Sequence, residues 1–145
     1  MTIQLLPSTS VQNALDLVRR VFLQFEAPEY PPEGVETFCT FLENSGEISK
    51  LRFYGAFEKD VLIGTLATRG EDGSHIALFF VETVWQGQGA GRELFTEARR
   101  NCSCNRMTVN ASPYAKTIYE HLGFTAVTDE QLQDGIRFIP MVYTV

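Results

Sequence analysis

The sequence predicts one domain of mixed α and β type, with helices laid against a β framework. Three observations carry this. The spacing of apolar residues switches from a helical three-and-four pattern near the N-terminus to strand-like alternation from Leu51, then back to helical spacing after Gly89. The run Ile76-Ala77-Leu78-Phe79-Phe80-Val81 is apolar without interruption, as in a strand covered on both faces. A turn with three alternate glycines joins that run to an amphipathic helix.

Taken in order, Thr2–Leu6 alternates enough for a short first strand, closed by Pro7. Ser8-Thr9-Ser10 offers hydroxyls for a helix start, and Val11, Leu15, Val18, Phe22 and Phe25 follow at helical spacing. Pro28, Pro31 and Pro32 cannot continue that helix. A second one reopens at Glu33-Gly34, buries Val35, Phe38 and Leu42, and should end at Asn44-Ser45-Gly46. Strands follow on either side of a turn at Lys59-Asp60, the second covering Val61–Thr68, and Asp72-Gly73 marks another turn before the apolar run. Leu94, Phe95 and Ala98 form the buried stripe of a helix over Gly89–Arg100. Met107-Thr108-Val109 is a short strand. Ser112-Pro113 then starts a helix with a hydroxyl cap and a first-turn proline, carrying Ala115, Ile118, Tyr119 and Leu122 to a stop at Gly123. Phe124–Val127 and Ile136–Tyr143 close the chain as strands. No repeat, linker or low-complexity stretch interrupts the sequence, so residues 1–145 read as one domain.

Composition excludes several classes. Hydrophobic content of 44% with 21% charged residues is that of a globular chain, not a disordered one. No apolar run approaches the roughly 20 residues of a membrane span, and the N-terminus lacks the pattern of a signal peptide. A cytoplasmic location without membrane attachment is therefore expected. Twelve basic residues against eighteen acidic give a formal charge of −6, which opposes general nucleic-acid binding and suits a cationic partner. Cys39, Cys102 and Cys104 are expected to be reduced thiols. With only two histidines and no second cysteine pair, no metal centre is expected.

The sharpest local feature runs from Val81 to Leu94: a buried strand, a glycine-rich turn, and the start of a helix. The unpaired N–H groups and dipole of a helix's first turn make a ready anion site, and glycines let a phosphate approach the backbone closely. Spacing arbitrates between nucleotide-binding patterns. The dinucleotide fingerprint fails because Arg92 or Leu94 stands where its last glycine is needed, and the Gly-Lys-Ser/Thr of a P-loop is absent. The spacing that fits is Q-x-x-G-x-G, on Gln86, Gly89 and Gly91.

That spacing resembles the acetyl-CoA signature of the GCN5-related N-acetyltransferases, the GNAT superfamily. The resemblance extends upstream over Phe79 to Gln86, and downstream over Val109 to Phe124, where Tyr119-Glu120-His121-Leu122-Gly123-Phe124 looks like the family's Tyr-x-x-x-Gly-Phe element. The order of elements agrees along the whole chain. It implies an α/β (α+β) fold: a mostly antiparallel central sheet of six to seven strands, the fourth and fifth splayed apart, flanked by about four helices.

The resemblance also implies roles. The amides of Gln86, Gly87, Gln88, Gly89, Ala90 and Gly91, with Arg92, would hold the pyrophosphate of acetyl-CoA as cosubstrate. Phe79, Phe80 and Val81 would offer backbone groups to the pantetheine arm, and an amide near Phe79 or Phe80 would polarise the thioester carbonyl. Tyr119 would protonate the departing thiolate; a core aromatic is the plainer reading of the same residue. Asn110 matches an asparagine that touches cofactor or substrate. Many members carry another CoA-contacting asparagine where Pro113 stands here.

An amine bound as ammonium must lose a proton before it attacks. His75, whose ordinary pKa of about 6.5 suits that task, and Glu82 are the two candidate bases. His121 reads as a surface residue. Acids and aromatics between Phe25 and Gly34, near Phe38, could hold a cationic acceptor, a small-molecule or protein amine. The leading expectation is an acetyltransferase acting on an amine, in a protein that could form a homodimer through its final strands. A CoA-binding sensor without catalysis is the alternative.

Overall fold

Alternating apolar segments pair into a single twisted sheet around which the helices are arranged. In the structure, a computed structural model describing residues 1–145, the strands are β1 (Thr2–Leu5), β2 (Arg52–Glu58), β3 (Val61–Arg69), β4 (His75–Val81), β5 (Arg106–Ala111), β6 (Thr125–Ala126), β7 (Gln131–Gln133) and β8 (Ile136–Thr144). Their order is β1-β2-β3-β4-β5-β8-β6, with β7 paired to β8. All neighbours are antiparallel except β4 and β5, which run parallel.

The helices are α1 (Val11–Phe25), α2 (Pro32–Glu43), α3 (Ser45–Ile48), α4 (Ala90–Arg100) and α5 (Lys116–Leu122). They cover the sheet from both sides, and strand alternation divides the core accordingly. Phe53, Ala67 and Leu78 face α1 and α2 with Ala14, Leu15, Val18 and Leu42. Tyr54, Leu66 and Ile76 face the opposite way, toward Leu94, Phe95 and Ala98 of α4 and Tyr119 of α5. Full burial of a side chain such as Leu17, Phe22 or Leu94 contributes roughly 1.5–3 kcal/mol before entropy is counted. No helix is long and apolar enough to cross a membrane.

The architecture agrees with the expected splayed, mostly antiparallel sheet, and the counts differ only through short elements. Asn44 does end α2, but its side chain then accepts from the amide of Glu47 and starts the one-turn α3. Strand β7 is too short and polar to alternate visibly. It forms because Asp134 and Gly135, both at positive φ, make the tight turn into β8. The last helix begins later than the sequence suggests: Ser112 caps a turn through the amide of Ala115, and regular helix starts at Lys116. Cys102 and Cys104 lie side by side in the connection from α4 to β5, and Cys39 is free.

Candidate functional site

The site originates in a break between two strands. β4 and β5 are paired only at His75–Thr108 and Ile76–Val109, after which β5 continues alongside β8 to Ala111. The cause lies on the other edge of β4. Ala67 of β3 pairs with Leu78 while Thr68 pairs with Ile76, so Ala77 is an extra residue on β4. Such a bulge bends its strand and sharpens the local twist. Beyond Ala77, Phe79 to Val81 therefore leave β5, and a cleft opens between them.

At the end of β4 a 3-10 turn (Thr83–Trp85) leads into the glycine-rich turn. The Gln86 side chain donates to the carbonyl of Val81 and that of Gln88 to Val84, fixing the loop on itself. Gly87 and Gly89 take positive φ of 77° and 93°, and a Cβ on either would meet nothing within 4 Å. Both open onto solvent. Gly91 instead lets α4 lie close to β4, with the Phe79 ring 3.5 Å from where its Cβ would be. The amides of Gly87 through Arg92 donate to no acceptor in the protein, and the first amide satisfied in α4 is that of Glu93, on the Gly89 carbonyl. Unpaired donors at the positive end of a helix are a site for an anion such as a phosphate.

From this cradle a cleft of about 370 Å3 follows the splay, walled by Phe79 to Val81 on one side and Tyr114 to Leu122 on the other. Arg92 spans its mouth, donating to the carbonyl of His121 at 3.3 Å. A second cavity, about 260 Å3, lies across the sheet edge beneath α1 and α2, lined by Phe22, Tyr30, Phe38, His75 and Asn110 among others. The two volumes share Glu26, Phe79, Phe80, Ala115 and Tyr119. An elongated molecule in the cleft would thus present its tip to whatever occupies the cavity.

Two ionisable groups meet on that shared wall. Tyr119 is buried, edge-on to Phe79 and Phe124. Burial, and then the Glu26 charge, push its phenol well above its ordinary range, so it stays neutral. Glu26 follows the last residue of α1. Burial raises its carboxyl, with the nearby Ser112 hydroxyl partly offsetting this. The same charge helps push Tyr30, across the cavity, up to about 12, after the larger effect of burial. Sequence reasoning placed Glu26 among several acids of a segment that could hold a cationic acceptor, but did not single it out. Its helical spacing continues that of α1, and its desolvation depends on Ser112 and Tyr119 from a distant part of the chain.

The other expected residues are dispersed. Gln86, Gly87, Gly89, Gly91 and Arg92 line the cleft, whereas Gln88 and Ala90 contribute only main chain, Ala90 being packed in the core. Asn110 lines the second cavity rather than the cleft. His75 also reaches that cavity, its Nδ1 2.8 Å from the Thr108 hydroxyl. Burial, and secondarily the Arg69 charge, lower its pKa and keep it neutral. It stands four residues before Phe79, about 13 Å along an extended strand. Glu82 lines neither space; it pairs with Arg20 of α1 at 3.0 Å. His121 flanks the mouth of the cleft. No group of three or more His, Cys, Asp or Glu side chains is placed to hold a metal ion.

A family model described as an acetyltransferase (GNAT) domain matches residues 26–145. No curated protein sequence matches the chain. Among solved structures, a GCN5-related N-acetyltransferase from Rhodopseudomonas palustris aligns over 99% of this chain and 95% of its own, with 17% identity and a TM-score of 0.84. The PaiA N-acetyltransferase from Thermoplasma acidophilum, solved in complex with coenzyme A, aligns over the full length of both chains with 18% identity and a TM-score of 0.75. Escherichia coli ElaA aligns over 98% of each, at 20% identity and a TM-score of 0.68. These likenesses carry the fold, and the family model extends over the splayed strands, the glycine-rich cradle and the tyrosine wall alike. The chain belongs to the GNAT acetyltransferase family.

Proposed function

We propose that this protein transfers the acetyl group of acetyl-CoA to a primary amine, by direct attack within a ternary complex. The observation that carries the reading is the row of unpaired amides from Gly87 to Arg92 at the head of a cleft whose other end is shared with a cavity lined by a half-buried carboxylate. Such amides fit the pyrophosphate of the cosubstrate. The free edge of β4 at Phe79 to Val81 fits a pantetheine arm, whose amides pair as a strand would. That the PaiA relative was solved with coenzyme A supports the same occupant here.

The residues then divide the chemistry. Glu26 attracts the ammonium form of the acceptor and takes its proton, and the raised pKa that burial gives it makes it a stronger base than an exposed glutamate. His75 lines the same cavity but not the wall shared with the cleft, and Glu82 pairs with Arg20, so Glu26 is preferred to both as the base. The freed nitrogen pair attacks the thioester carbonyl, the C–N bond forms, and main-chain donors near the Ala77 bulge accept charge on the oxygen. As the carbonyl re-forms, the C–S bond breaks and its electron pair leaves on sulfur.

Tyr119 faces that sulfur with a neutral hydroxyl. The gap between an unperturbed phenol near pKa 10 and a thiol does not favour complete donation from Tyr119. Burial widens that gap. Tyr119 therefore stabilises the leaving thiolate by a hydrogen bond; of the two protons the nitrogen gives up, the one Glu26 takes before attack passes to solvent, and the second, lost to the same carboxylate as the amide forms, is the one the thiol product carries. A pure sensor of coenzyme A would need no such carboxylate at the junction. Calorimetry with acetyl-CoA, followed by thiol release across an amine panel, tests the proposal. Binding plus amine-dependent release is expected; failure to bind coenzyme A would overturn it.

A further inference from the structure

We propose that the acceptor is an amino carboxylate, its ammonium held by Glu26 and its carboxylate paired with Arg69. This rests on the transfer reading above and specifies the chemistry of the acceptor.

Arg69 ends β3 and lies opposite His75 in the sheet register, at the end of the cavity away from the shared wall. Its guanidinium stands 5.8 Å over the Phe41 ring, which accounts for the face of the group but for none of its N–H donors. The Nε is sealed from solvent and has no hydrogen-bond partner, the only such side-chain atom in the protein. No carboxylate of the chain pairs with it. A buried donor of a charged group left without an acceptor is costly and calls for an explanation. The terminal nitrogens of the same guanidinium also lack a partner in the chain, and a carboxylate in the cavity that Arg69 lines would pair with them.

The remaining charges of the cavity narrow the choice. Arg137, its other permanent cation, already holds Glu130 through Nε and a terminal nitrogen at 2.8 and 3.2 Å. Glu26 is the only acid on the wall. Glu26 lies on the wall shared with the cleft, whereas Arg69 lines the second cavity alone, opposite His75 in the sheet register, so the acid and the cation are set apart. Between them lie Phe38 and Phe80. A ligand matching this has a cation at one end, an anion at the other and apolar atoms between. At about 260 Å3 the cavity falls just below the range of about 300–1,000 Å3 for drug-sized ligands, and so suits one small molecule.

The test compares straight-chain amino acids of two to six carbons, each against its own carboxamide, on the CoA-loaded protein. Calorimetry reads affinity and thiol release from acetyl-CoA reads kcat/KM. At the best chain length the free carboxylate should be preferred at least about tenfold in both, and Arg69→Met should bring the ratio toward one. Arg69→Lys, which keeps the charge but loses the fork, should fall between and covers the case in which the methionine variant does not fold. Equal use of acid and amide by the unaltered protein, binding of neither, or a preference that survives in Arg69→Met would overturn the proposal. If no amine is acetylated at all, acetyl transfer falls, and the calorimetric ratio still decides whether Arg69 selects carboxylates.

Discussion

Replacing Gly89 with alanine separates backbone strain from ligand contact in the cradle. Gly89 has φ +93° and ψ −7°, a left-handed conformation that costs an L-residue about 1–2 kcal/mol. Its Cβ would touch nothing, so no packing gain offsets that cost. At about 2–4 °C per kcal/mol for a chain of this size, the melting temperature should fall by about 2–8 °C. Gly91→Ala is the control of opposite sign. Gly91 lies in the first turn of α4, its Cβ would make ordinary contact with Phe79, and alanine is favoured over glycine in a helix by about 1 kcal/mol. That variant should melt no lower than the parent, and up to about 4 °C higher. Coenzyme A binding should discriminate in another way. The Gly89 methyl stands in the open space that the free amides face. Losing two charge-assisted bonds of about 1.5–3 kcal/mol each would weaken binding by about 100-fold or more. Thermal melts with and without coenzyme A, and calorimetry, read both effects. Wild-type affinity in Gly89→Ala would refute the phosphate cradle. A Gly91→Ala protein destabilised as much as Gly89→Ala would refute the backbone reasoning.

Tyr119→Phe should keep coenzyme A affinity and lower kcat by about 10–100-fold, as expected for one lost hydrogen bond to the leaving sulfur; unchanged turnover would remove that role. Glu26→Gln should lower kcat/KM by about 100-fold or more while retaining coenzyme A binding. Its stability should also diverge from the parent with pH. A carboxyl raised in the folded state favours folding only while protonated, so the parent loses stability as pH rises from about 4.5 through the raised value, and the glutamine variant does not. A gap in melting temperature that stays flat across this window would contradict the burial of Glu26. Glu82→Gln, which breaks only a half-exposed pair with Arg20, should change stability by under about 1 kcal/mol and leave turnover intact, and a large loss of turnover would restore Glu82 as a base.

The cradle was legible in the sequence because everything it needs is local. Gln86, Gly89 and Gly91 lie within one turn, and their glycines state where the backbone must approach a ligand. The apolar run from Ile76 to Val81 likewise announced a central strand. The bulge at Ala77 could not be read, because an uninterrupted apolar run has no alternation to lose; the slip is visible only against the register of β3. Glu26 and Arg69 were hidden for a related reason. Each sits at the end of an element where charged residues are ordinary, and each becomes exceptional only when a distant segment buries it: Ser112 and Tyr119 for Glu26, α2 for Arg69. His75 and Glu82 were attractive for the opposite reason, being ionisable residues at the two ends of the central strand. Their partners, Thr108 and Arg20, are supplied by β5 and α1 and lie beyond local pattern.

The bulge also accounts for why one strand can border both the cleft and the cavity. Before it, Ile76 packs toward α4 and α5; after it, Phe79 and Val81 again face that side, while Leu78 and Phe80 face α1 and α2. An unbulged strand would put Ile76 and Leu78 on one face and turn Phe79 to the other, since side chains alternate strictly along a regular strand. Phe79 would then leave Tyr119 and Gly91, and Phe80 would leave Phe38. With the extra residue, the same stretch that breaks from β5 to open the cleft also turns Phe79 to the α4 and α5 face and Phe80 to the α1 and α2 face. The pairing break and the reset of phase are one geometric event at Ala77. A carboxylate such as Glu26, carried past that point by the end of α1, borders both the cleft and the cavity because the strand beneath it changes faces there.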